Sequence, residues 1–215
     1  MKEDAVSLEL LHPEDFGCFF VSKILNPDLY ERGIGMESKI KKITVIGMMC
    51  ALAYLAVLLC RIPITSTEFL KYEPKDIIIA MGGIIFGPLT SVFISVIVSV
   101  IEMFSISQNG FWGLFMNILA SLGFCCTIAV VYKKNQNFKG IVFGAILGVL
   151  VMTGLMVFWN YLVTPIYMGM DRKQIVPLLI PVFMVFNLIK GTINAIITII
   201  LYKPVTERVK RIIFY

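Results

Sequence analysis

Apolar stretches long enough to cross a bilayer recur along most of this chain. A helix needs about 20 apolar residues to cover about 30 Å of hydrocarbon, and from Ile43 onward the sequence supplies such runs with short polar breaks between them. The first covers 43–60. Residues 77–104 form a longer block interrupted by Gly87-Pro88. A proline after a glycine breaks a helix, so this block reads as two short helices, 77–87 and 89–104. Further spans follow at 111–132, 140–168 and 175–202, the last two long enough to tilt or to carry an irregular end. The expected fold class is an all-α integral membrane protein with six transmembrane helices. With 58% hydrophobic and 15% charged residues and a mean hydropathy of +0.87, the chain has too few charges to cover a soluble domain, which excludes a soluble enzyme.

The charges report orientation. Residues 1–35 carry a net −4 and the rest of the chain +9. That first stretch has no long apolar run and no signal-peptide pattern. It reads as a polar acidic extension, either dispensable or the product of a misplaced start, against the alternative of a short cytoplasmic appendage, with Met36 opening a more typical membrane-protein sequence. With the N-terminus inside, the short inner segments hold Lys39, Lys41, Lys42, Lys133, Lys134, Lys139, Lys203, Arg208, Lys210 and Arg211. The outer segments hold Arg61, Lys71, Lys75, Arg172 and Lys173. This bias places both termini in the cytoplasm and accounts for the net charge through topology and anionic headgroups, with no nucleic acid involved. The five cysteines lack metal-ligand or CxxC spacing, and the single histidine, His12, lies in the polar extension. Zinc chemistry, histidine catalysis and a disulfide framework are therefore poorly supported.

Polar residues at membrane depth are expensive and so carry the functional information. Lys190 stands halfway along the last span, too deep to reach the headgroups comfortably, and Asn187 lies three residues earlier on the same helix face. No acid is evident at a matching depth, so the pair reads as donors facing a cavity, against the alternative of a polar clamp between helices. Asn160 adds an amide near the outer end of the fifth span, where Pro165 loosens the helix. Amides beside a cation, flanked by Trp159, Tyr161 and Phe186, suit a planar ligand with a hydrogen-bonding edge. Glu102 and Asn117 read as interfacial or interhelical hydrogen bonders, and Asp76 as a cap for the second helix. The segment 63–76 contains Thr65, Phe69, Lys71 and Tyr72 and could cover a cavity as a lid. In the first span, Gly47 and Ala51 give a small-xxx-small spacing that admits another helix, in this chain or another.

Five segments carry a family likeness: LKYEPKD (70–76), FGP (86–88), GLFMNILAS (113–121), NYLVTPIYMG (160–169) and FNLIKG (186–191). Over about residues 36–215 the chain resembles the substrate-binding S component of an energy-coupling factor (ECF) transporter, and among these the riboflavin-binding type. The resemblance implies a six-helix, multi-pass cell-membrane subunit that binds riboflavin at its extracellular side, with FMN or another vitamin as the alternative. It implies partners: a transmembrane coupling subunit and two cytoplasmic ATPases. It implies roles for Asn160, Asn187 and Lys190 at the polar edge of the flavin ring; Trp159, Tyr161, Thr65, Phe69, Lys71, Tyr72 and Asn117 are the further candidate contacts read from the residues themselves. Riboflavin is then a transported substrate, and no cofactor is called for. The family's alanine-type docking motif falls on Gly47 and Ala51, with glycine in the first place. Residues 1–35 have no counterpart in the family. The chain has no GxxxxGK[ST] loop, so partners must hydrolyse ATP. A membrane-embedded enzyme is disfavoured because the spans hold no histidine and no acid pair, and a stand-alone carrier because the spans show no repeated halves.

Overall fold

The computed structural model describes residues 27–63, 71–106, 110–169 and 171–214. Among these, six helical rods account for nearly everything. They are α1 (Pro27–Leu59), α2 (Lys75–Phe86), α3 (Pro88–Ser105), α4, α5 (Phe138–Met168) and α6. α4 runs as Gly110–Ser121, a π-helical turn at Leu122–Cys126, and Thr127–Lys134. α6 runs as Arg172–Leu178, a π-helical segment at Leu179–Met184, and Val185–Phe214. Between α1 and α2, β1 (Ile62–Pro63) pairs antiparallel with β2 (Lys71–Tyr72). The rods match the six expected spans in order. Five of them are long and apolar enough to cross a membrane. The exception is α2, whose 12 residues reach only about 18 Å at about 1.5 Å per residue.

The chain divides into two compact units, 1–44 and 45–215. In the first, the described residues are the opening turns of α1, which starts well ahead of the expected residue 43. Its Pro27 supplies a pre-set φ for a first turn, and the Glu, Lys, Met and Arg that follow are good helix formers despite their polarity. Thr44 closes this unit by donating to the Ile40 carbonyl at 3.0 Å.

In the second unit the Gly87-Pro88 break falls where expected. Gly87 takes φ 101°, a left-handed conformation that favours glycine, and Pro88 then occupies the first turn of α3, where its missing N–H costs nothing. The core joins Met49 and Ala53 of α1, Ile79 and Met81 of α2, Ile94 and Val98 of α3, Phe124 and Ile128 of α4, and Ile141 and Met152 of α5. Outward faces carry large apolar side chains such as Leu59, Phe93, Phe104, Phe143 and Ile200, as lipid requires.

Neither π-helical insertion was expected, and each has a local cause. Pro181 lies inside the α6 insertion. A proline cannot donate to the helix ladder and its ring collides with the carbonyl four residues back, which the wider π turn relieves. In α4 the insertion lies where the helix meets α5 closely: a Cβ on Gly148 would stand 2.9 Å from the Phe124 carbonyl oxygen. Thr127 donates to the Gly123 carbonyl at 2.7 Å and so satisfies a backbone group of the widened turn.

Candidate functional site

Two consecutive residues at the start of α2 organise a buried polar centre. Lys75 and Asp76 are both 0% exposed, and neighbours on a helix point about 100° apart, so each serves a different cluster. Lys75 faces the loop and α3. Its ammonium pairs with Glu73 at 3.0 Å and with Glu102 of α3. Arg61 pairs with Glu73 at 3.1 Å and donates to the Ile106 carbonyl at 3.1 Å. Asn117 of α4 donates to Glu102 at 2.8 Å, the interhelical bond expected of both residues. Burial by itself would raise the Glu73 carboxyl, but the charges of Lys75, Lys190 and Arg61 outweigh it and hold the group below the ordinary carboxylate range.

Asp76 faces α4 and α6. One carboxylate oxygen accepts from Ser121 at 2.6 Å. The other lies 3.4 Å from the Lys190 ammonium and 3.4 Å from the Asn194 amide nitrogen. Asn194 in turn accepts from the Tyr72 hydroxyl at 2.8 Å, which ties β2 to α6. The charges of the whole centre balance: Arg61, Lys75 and Lys190 against Glu73, Asp76 and Glu102.

This geometry corrects three expectations. An acid does lie at the depth of Lys190: it is Asp76, carried there because α2 begins inside the protein. For the same reason Asp76 is no helix cap; Pro74 holds the cap position and no side chain closes the turn. The helices also hold buried acids, Asp76 and Glu102, each neutralised by a lysine. Lys75, assigned above to an outer segment, is buried as well, which leaves the inward bias of the loop charges stronger.

The three leading residues are all buried, at 1% for Asn160, 2% for Asn187 and 6% for Lys190. Each asparagine commits one N–H to its own helix: Asn160 to the Met156 carbonyl and Asn187 to the Phe183 carbonyl, both at 2.7 Å. Thr164 donates to the Asn160 side-chain oxygen at 2.9 Å. An amide nitrogen carries two hydrogens, so these bonds fix the side chains and leave each a second N–H.

The remaining residues scatter more. Trp159 is half-buried, 6.4 Å from Phe115 between ring centres, and its indole N–H has no partner among the described residues. Tyr161 is exposed, lies under the Arg172 guanidinium at 5.8 Å, and lines an apolar groove of about 590 Å³ with Leu150, Phe158 and Leu188. Lys71 and Tyr72 form β2. Thr65 and Phe69 lie outside the described residues. Gly47 and Ala51 both face outward on α1 while Met49, Cys50 and Ala53 pack inward; among the described residues, a Cβ added at Gly47 would meet nothing within 4 Å. Asn194 and Ser121 join the centre although neither stands out in the sequence. The signal available for Asn194 was its place one turn beyond Lys190 in the run Asn187, Lys190, Asn194.

Comparison with known proteins agrees with the fold. The family described as ECF transporter, substrate-specific component matches residues 41–202. The chain is 25% identical over 189 residues to the riboflavin transporter RibU of Staphylococcus aureus (strain TCH60), covering 84% of this chain and 98% of that one. It is 26% identical over 185 residues to the riboflavin transporter FmnP of Bacillus subtilis (strain 168), covering 79% and 96%. A solved structure of the S component of a bacterial ECF transporter superposes with a TM-score of 0.70 at 25% identity, covering 80% of this chain and 99% of that one. A match over three quarters of the sequence and a shared helical architecture lead to one conclusion: the chain belongs to the substrate-specific components of ECF transporters and is a multi-pass membrane protein of the transport class.

Proposed function

We propose that this chain is the riboflavin-binding subunit of an ECF importer and that Asn160, Asn187 and Lys190 hold the polar edge of the flavin ring. The observation that carries the reading is the burial of a lysine and two amides within apolar helices, in a chain whose similar proteins are named riboflavin transporters. The flavin edge presents carbonyl oxygens and one N–H. An ammonium has three donors and each fixed amide a second one, which matches a ligand richer in acceptors than in donors. Riboflavin is cargo here, and the reading calls for no resident cofactor. The protein purified in detergent should quench riboflavin fluorescence. Asn160→Ala and Asn187→Ala should each weaken binding by about tenfold, the value of one or two lost hydrogen bonds, without loss of membrane insertion. Normal binding by both variants would refute the assigned roles.

The coupling subunit docks on the outward face of α1 at Gly47 and Ala51. Small residues four apart let a second helix approach closely, and among the described residues nothing lies within 4 Å of a Cβ placed at Gly47. Gly47→Leu with Ala51→Leu should therefore abolish uptake in cells that also make the coupling subunit and two ATPases, while binding by the isolated subunit stays within about twofold. Equal loss of both would place these residues in the fold and not in docking. Residues 1–35 form an extension that transport does not need. Their deletion should leave uptake unchanged, and lost uptake with normal expression would show otherwise.

A further inference from the structure

We infer that Asp76 is a positioning residue for ligand binding: it holds the Lys190 ammonium in place, and Ser121 and Asn194 hold Asp76. This rests on the reading above that Lys190 meets the ligand.

A lysine has four rotatable bonds and loses much freedom when fixed. Lys190 is buried between the apolar Leu188, Ile189 and Ile193 of α6, so something must direct its head. The carboxylate of Asp76 is the acid paired with it among the described residues, at 3.4 Å. That separation is longer than the about 2.8 Å of a tight charge-assisted hydrogen bond. The pair therefore neutralises and aims the ammonium without using up its donors, and at least two of the three N–H groups remain for a ligand. Asp76 is itself immobile. It is 0% exposed, Ser121 of α4 donates to it at 2.6 Å, and Asn194 stands at 3.4 Å on the same oxygen as Lys190. Asn194 is fixed in turn by the Tyr72 hydroxyl. Three elements, α2, α4 and β2, thus set the position of one side chain on α6. The buried acid also keeps the site electrically neutral, which suits an uncharged ligand that accepts hydrogen bonds.

A double-mutant cycle on riboflavin binding by the full-length protein tests this. Asp76→Asn keeps the shape and removes the charge, and it should lower affinity by about tenfold or more when Lys190 is present. In a Lys190→Met background the same substitution should cost less than about threefold, because the group it positions is gone. Asn194→Ala should behave alike with a smaller loss, and it carries the test if Asp76→Asn does not fold. Equal losses in both backgrounds would overturn the inference and make Asp76 a structural residue only. Riboflavin binding by the unmodified protein is measured beside these variants. Its absence would remove the substrate reading itself, whereas intact binding with an additive cycle removes only the role of Asp76.

Discussion

Lys75→Met is expected to destabilise the protein by about 3–5 kcal/mol, the usual consequence of removing one partner from a buried ion pair. Lys75 is fully buried between two acids. Its loss leaves Glu73 and Glu102 facing each other out of water, with the half-buried Arg61 as the remaining ion-pair partner of Glu73 among the described residues. Isolated buried carboxylates are among the most costly groups a protein can hold. The variant should show a markedly lower thermal midpoint in detergent and poor yield from membranes. Lys75→Arg keeps the charge and should recover much of the loss. Arg61→Met should cost only about 1 kcal/mol, because that pair is partly in contact with solvent. A Lys75→Met protein as stable as the parent would mean that the charge centre is not assembled as described.

Lys190→Met should have the largest effect on binding. It removes a buried cation with several donors and leaves Asp76 with Ser121 and Asn194 alone. Riboflavin affinity should fall by about a hundredfold, equivalent to roughly 2–3 kcal/mol and typical of a charged hydrogen-bonding group. Stability should also fall, though less than for Lys75→Met, since the carboxylate keeps two neutral partners. Fluorescence titration and thermal unfolding separate the two effects. Binding within threefold of the parent would show that Lys190 serves only to neutralise Asp76.

Composition and periodicity control the features of this fold that are legible in its sequence. Span positions follow from apolar length, and the α2–α3 break follows from Gly87-Pro88, because both are local properties. The depth of Lys190 was readable for the same reason. Its partner was not. Asp76 follows a loop and precedes an apolar run, a context identical to that of an exposed helix cap, and only packing reveals that this helix begins inside the protein. Asn194, the residue that joins it to Tyr72, lies 118 positions away along the chain, beyond any periodic signal. The π-helical segments were hidden likewise, since Pro181 announces a disturbance without saying whether the helix kinks, ends or widens. Thus the candidate binding residues stood out one at a time by their cost in lipid, while the charge balance that makes Lys190 tolerable required the fold.

Titration of riboflavin into the purified full-length protein tests the central claim most directly. The account predicts saturable quenching of flavin fluorescence at one ligand per chain, with half-saturation below the micromolar range and a yellow colour retained through purification. Unquenched fluorescence with micromolar riboflavin and micromolar folded protein would contradict it.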